Sequence, residues 1–155
     1  MNDTDLSYIN EALKEAQKAL DEGEVPVGAI LVQEGKIIGR GHNMRNQLKE
    51  VLSHAECSCL LDASKNTGVA IFPESTMYVT LEPCIMCTGA LLNAHVSKVV
   101  FCAYEPKFGA LGSLIDLSLL QGLNVTMHVE YLEDLRSQEL LKTFFKDKRK
   151  HKTEN

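Results

Sequence analysis

The chain has 155 residues and 17.2 kDa, the size of a single domain, and its 45% hydrophobic and 24% charged residues exclude a disordered or collagen-like polymer. Its formal net charge of −5 hides an asymmetry: residues 142 to 152, KTFFKDKRKHK, hold six Lys or Arg against one Asp, a local +5 that leaves −10 for the rest. That division suits either a polyanionic partner met at the basic end or an ordinary solvated helix end. No apolar run approaches the ~20 residues needed to cross a bilayer, and the acidic, polar start MNDTDLSYIN has no charged-then-apolar leader, so a cytoplasmic protein without membrane attachment is expected.

Leu6, Ile9, Leu13, Ala16 and Leu20 recur at helical spacing, with Asp3 or Thr4 as cap and Gly23 as stop, which predicts an amphipathic helix over residues 6 to 20. After Pro26, Val27 to Val32 and Lys36 to Ile38 flank Glu34 and Gly35, the chemistry of a hairpin turn. Ser53 stands as cap of a helix running to about Lys65. Thr76 to Thr80 reads as a third strand, Pro83 as the first position of a helix through Leu91 and Leu92, and Val96 to Phe101 as a fourth strand. Residues 105 to 112, with one Pro and two Gly, form a loop; Val125 to Val129 is the fifth strand, and Glu133 to about Lys150 a closing helix. No linker or repeat divides residues 1 to 155, so a single α/β layered domain is expected, its basic helix end at about 142 to 152.

Five cysteines are an odd count for a disulfide framework, and a reducing compartment disfavours one. Imidazole and thiolate are ligands that zinc prefers, and His54 stands near one helix start while Cys84 and Cys87 stand near another. A helix start favours thiolate through its free N–H groups and positive dipole end. Three ligands leave zinc one position short; a water there would fall in pKa from about 16 to roughly 7, and the nearby carboxylate of Glu56 could move its protons.

Other readings of the same residues compete. Ser53 to Glu56 has the form of a capping box, in which Glu56 folds back on the backbone. On a regular helix His54 and Glu56 do not face the same way, whereas Cys57, three residues after His54, does; a closed structural zinc site with Cys57 as fourth ligand follows from that geometry. The Cys84 and Cys87 pair could also be redox-active. Cys59, Cys102, Met77 and Phe101 read as core, and His42, His95, His128 and His151 as surface or satisfied histidines.

Taken together, VPVGAILV at 25 to 32, GHNMR at 41 to 45, HAE at 54 to 56, TLEPCIMCTGAL at 80 to 91 and GSLID at 112 to 116 resemble the bacterial tRNA-specific adenosine deaminases, over about residues 6 to 150. The resemblance implies a three-layer α/β/α fold of cytidine deaminase type, with a mixed five-stranded sheet covered by helices. It implies one Zn²⁺ per subunit on His54, Cys84 and Cys87, Glu56 as proton shuttle, and Asn43 on the edge of the bound base. It further implies a homodimer that converts the wobble adenosine of a tRNA anticodon stem-loop to inosine. FFKDKRK at 144 to 150 resembles the family's closing helix, which makes Phe145, Lys146, Lys148, Arg149 and Lys150 candidate RNA contacts. Two features depart from the family: Val51, Leu52 and Ser53 stand where Pro, Thr and Ala are usual, and Cys57 follows the HAE motif. The metal motif alone also suits a deaminase of a free base or nucleoside such as cytosine, guanine or cytidine, or a zinc-stabilised RNA-binding module without turnover.

Overall fold

In the computed structural model, which describes residues 2–154 with side chains as far as Lys150, the opening apolar stripe forms α1 (Asp3–Asp21). Its cap is Asn2, whose side-chain oxygen accepts from the Asp5 amide at 2.7 Å, in place of the predicted Asp3 or Thr4. Asp3 and Asp5 instead sit in the first turn, where carboxylates complement the positive helix end.

The hairpin joins β1 (Gly28–Gln33) to β2 (Lys36–His42) in antiparallel pairing. Glu34 and Gly35 both take positive φ, 52° and 73°, as a two-residue hairpin turn of the primed type requires. β2 runs to His42, past the predicted end at Ile38. Its later residues include Gly39 and Gly41, poor strand formers by propensity, which lie beneath α3 (Ala55–Thr67). A Cβ on Gly39 would come within 2.6 Å of the Cys59 carbonyl, so a bare backbone lets the helix rest directly on the strand.

β3 (Ser75–Val79), α4 (Ile85–Asn93), β4 (Lys98–Phe101), β5 (His128–Tyr131) and α5 (Leu135–Glu154) complete the main elements. The single turn α2 (Arg45–Leu48) and the 3-10 turn Leu117–Leu119 have no counterpart among the elements expected from sequence. Strands lie in the order β2-β1-β3-β4-β5, with β1 antiparallel to β2 and β3, and β3/β4 and β4/β5 parallel. The fifth strand begins three residues later than predicted, because Val125 and Met127 are already spent packing on the core before His128 reaches Lys98.

Strand alternation divides the core in two. Ala29, Leu31, Met77, Val79, Val99 and Phe101 pack with Ala55, Cys59 and Leu60 of α3 and Leu91 of α4. Ile30, Val32, Tyr78, Val100 and Cys102 pack with Ile9, Ala12 and Leu13 of α1, and Leu140 of α5 joins them. Met77, Phe101, Cys59 and Cys102 are thus core residues. The result is the expected three-layer α/β/α arrangement. Among the described residues no helix is long and apolar enough to cross a membrane.

Candidate active site

The starts of α3 and α4 meet at one end of the α3/α4 layer, and the backbone there decides which side chains converge. His54 is the N-cap of α3, with extended φ −78° and ψ 158°, and Cys84 is the N-cap of α4, with φ −76° and ψ 176°. Ser53 is therefore not the cap; its hydroxyl donates to the Glu50 carboxylate at 2.8 Å, and the expected capping box does not form. Pro83 precedes the cap of α4, one step outside the helix it was predicted to begin. A residue in extended conformation lies off the helical spiral, so the rule that positions two apart diverge does not bind His54 and Glu56.

Nδ1 of His54 lies 3.6 Å from Sγ of Cys84 and 3.6 Å from Sγ of Cys87. These three ligand atoms all lie within 4.8 Å of one another, the one such group of three found among the described residues. Zinc bonds of about 2.3 Å to sulfur and about 2.0–2.1 Å to nitrogen, at tetrahedral angles, imply ligand separations of roughly 3.5–3.8 Å, so the donors present fit that ion in type and spacing. Cys57 touches Cys87 with its sulfur at 3.7 Å but is not a member of the mutually close set, which leaves it beside the trio. The three cysteines here, with Cys59 and Cys102, are free thiols.

Glu56 is buried in the first turn of α3. Removal from water pushes its carboxyl up to about 7, with the negative Cys84 adding to the rise while its own backbone amide, the His54 charge and a hydrogen bond from Cys87 oppose it. The Cys84 thiol is held down to about 4, chiefly by hydrogen bonding with Cys87 and also with His54. Cys87 moves the opposite way, kept protonated by its hydrogen bonds to Cys57 and Cys84 and by burial, and His54 is raised by its contact with Cys84. A cation entering here meets one sulfur already ionised and a second whose proton it must displace, beside a carboxyl poised to hold or release a proton near neutrality.

The sequence pattern of the cytidine and deoxycytidylate deaminase zinc-binding region matches residues 2–103. A tRNA-specific adenosine deaminase of Bacillus subtilis is 42% identical over 151 residues, 96% of this chain and 92% of that protein. Another from Aquifex aeolicus is 40% identical over 139 residues, 90% and 92% of the two chains. The chain belongs to the tRNA-specific adenosine deaminase family. A structure described in a study of A-to-I editing by tRNA:A34 deaminases at the wobble position superposes with a TM-score of 0.84 at 34% identity, covering 88% of this chain and 99% of that one.

In this deaminase, Asn43 sits half-buried on the segment that leads from β2 towards His54. Its side-chain amide donates to the Val25 carbonyl at 3.3 Å, its oxygen accepts from the Arg45 amide at 3.3 Å, and the next residue, Met44, donates to the Ser53 carbonyl at 2.9 Å. Two buried carboxylates with no role expected from sequence hold the surrounding loops. Glu24 accepts from the Asn46 and Gln47 amides at 3.0 to 3.1 Å and so fixes α2 beside Asn43. Glu82 accepts from the amides of Glu105, Leu111 and Ser113, each at 3.0 Å, and from the Ser113 hydroxyl, which binds the 105 to 113 loop to the residue two before Cys84. Each stands close to a Pro in an apolar run, and Glu82 and its partner Ser113 fall within the TLEPCIMCTGAL and GSLID motifs, but nothing in the sequence alone pairs either acid with the amides it serves.

The remaining candidates lie apart. His42 is satisfied by Glu15 and Glu22, and His95 and His128 are exposed; the side chain of His151 lies outside the described residues. In α5, Phe144 turns inward and Phe145 outward, edge to face at 5.2 Å between centroids, with Lys148 over the Phe144 ring. Lys146, Lys148, Arg149 and Lys150 are on the exposed surface of that helix, whose Leu140 packs in the α1 layer, on the other face of the sheet from α3 and α4.

Proposed function

We propose that this protein hydrolytically deaminates adenosine to inosine at the wobble position of a tRNA anticodon, as a homodimeric cytoplasmic enzyme with one zinc ion per subunit. The observation that carries this reading is a buried carboxylate, Glu56, beside an open set of three ligands, His54, Cys84 and Cys87. When bound, zinc supplies a Lewis acid that brings the pKa of a coordinated water to roughly 7. Glu56 accepts one proton of the attacking water and delivers it to N1 of the adenine; it then takes the proton of the new C6 hydroxyl and passes it to the amino group, so that the C6–N bond breaks, ammonia leaves and the carbonyl of inosine remains. Burial suits Glu56 to both halves of that transfer, because its carboxyl changes state close to neutrality.

Asn43 holds the edge of the extruded base. An adenosine in an anticodon loop is already unpaired, which lowers the cost of drawing it into a pocket. Val51 and Leu52, both exposed just before His54, and the exposed Phe108 on the loop held by Glu82 offer apolar surface to flanking bases. Phe145 and the basic residues after it meet the RNA backbone farther along. Leu61 and Ile85, exposed on α3 and α4, support a self-association face. All residues from 1 to 155 act as one deaminase domain.

The test is to incubate the zinc-loaded protein with an anticodon stem-loop bearing a wobble adenosine and to follow inosine by mass, with free adenosine, cytidine, guanine and cytosine as comparators. Inosine from the stem-loop, with little release of ammonia from the free compounds, is expected. Turnover of a free base or nucleoside alone would overturn the substrate assignment, and no turnover of any compound would overturn the reaction. Sedimentation at working concentration reads the dimer, and a monomer would remove that part.

A further inference from the structure

Cys57 has no task in the reaction above, yet its sulfur lies 3.7 Å from that of Cys87, bridging the first turn of α3 to the first turn of α4. Cys87 is fully buried and Cys57 partly exposed, so one sulfur of the pair can be reached from solvent and the other cannot. Cys59 and Cys102 are buried in separate cores on opposite faces of the sheet. A disulfide needs sulfurs about 2.05 Å apart, and small rotations of two side chains on adjoining helix starts can close such a gap.

We propose that Cys57 and Cys87 form a peroxide-sensitive pair, whose oxidation to a disulfide withdraws Cys87 from the ligand set and releases the metal. This rests on the ligand assignment made above. The Cys57 sulfur attacks a hydroperoxide: an S–O bond forms, the O–O bond breaks, and the departing oxygen takes the thiol proton and leaves as water or alcohol. The Cys87 sulfur then attacks the resulting sulfenic acid. An S–S bond forms, the S–O bond breaks, and the hydroxyl leaves as water with a proton from Cys87 or from solvent. The two sulfurs lose two electrons, and the peroxide is reduced. A disulfide sulfur carries no thiolate charge, so His54 and Cys84 remain as the only ligands and metal affinity collapses. Transient disulfides of this kind are how cytosolic thiols register oxidants.

The experiment titrates zinc-loaded protein with hydrogen peroxide. Zinc release is followed with a chelating dye, and disulfides are mapped by mass spectrometry of non-reduced peptides. Zinc is counted before oxidant is added, so protein that holds none speaks against the ligand assignment, while the cross-link is read independently by mass. A Cys57–Cys87 peptide should accumulate in step with zinc release, and reductant plus zinc should reverse both. Cys57→Ser should retain zinc, with release slowed at least about tenfold, and Cys57→Ala serves as a second variant should the serine perturb packing. Equal release from the substituted and unsubstituted proteins, or a Cys84–Cys87 linkage in place of the proposed one, would overturn the pair.

Discussion

The start of α1 and the starts of α3 and α4 use one structural position in opposite ways. Asn2, His54 and Cys84 are all N-caps with nearly the same extended backbone. Asn2 turns its side chain onto its own helix and satisfies the Asp5 amide. His54 and Cys84 leave their helices without a side-chain cap and turn towards each other. A good cap is worth about 1 kcal/mol, so the molecule forgoes that stabilisation twice where ligands must converge and keeps it where only the fold is at stake. A residue just outside a helix can be aimed where a residue within the helix cannot.

The comparison is broken most severely at the ligands. His54→Ala should lose zinc and turnover together, read by metal analysis and inosine formation; full zinc occupancy in that variant would remove His54 from the set. Glu56→Ala should keep its zinc while turnover falls by about 10²–10⁴-fold or more. Substantial remaining deamination would remove the carboxylate from its role.

Stability against pH sharpens the same contrast. Without metal, the folded Glu56 carboxyl titrates at about 7 against an ordinary 4.5. A raised carboxyl contributes stability that is complete below about pH 4.5 and is lost as pH climbs through about 7, a swing of roughly 3 kcal/mol. Glu56→Gln should flatten that fall in urea denaturation of the metal-free protein, and an unchanged slope would place its origin elsewhere. Nothing comparable is expected at the α1 cap, since Asn2 does not titrate.

Smaller effects are expected at the two chain ends. Neutralising Lys146, Lys148, Arg149 and Lys150 should weaken RNA binding and flatten its salt dependence, by about 0.7 in log–log slope for each phosphate that no longer meets a cation. An unchanged slope would leave the end of α5 as solvated charge. Asn2→Ala should cost about 1 kcal/mol in thermal or urea unfolding and leave zinc content alone; a loss of metal there would erase the distinction between the two kinds of cap.

Periodic apolar residues made the strands and long helices legible, and with them the α/β/α layering. Boundaries failed where a competing contact, local at Ser53 and tertiary at Gly39 and Gly41, overrode the signal read from composition. Ser53 has the composition of a cap, but its hydroxyl is engaged by Glu50, and the chain enters α3 one residue later through a histidine. Gly39 and Gly41 hide half of β2 because their purpose is to admit α3 and not to favour a strand. The conjunction of His54, Cys84 and Cys87 was readable because the donor types are rare and suited to one ion. Glu56 was named for its chemistry and by the family resemblance, but spacing alone did not bring it to the same place, since periodicity treats the N-cap as if it were already helix. Cys57 shows the converse: its spacing from His54 pointed to a fourth ligand, whereas its sulfur lies against Cys87 and outside the mutual group.

Glu82 gathers three amides and a hydroxyl from a stretch some thirty residues downstream, immediately before the helix that carries two of the sulfurs. The wall bearing Phe108 and Leu114 is thereby mounted on the same rigid block as the cysteines, with its outward side chains uncommitted. Such mounting separates two kinds of change. Replacing the outward residues should alter the surface beside the site while Cys84 and Cys87 stay put, because the bonds that mount the wall run through Glu82 and not through those side chains.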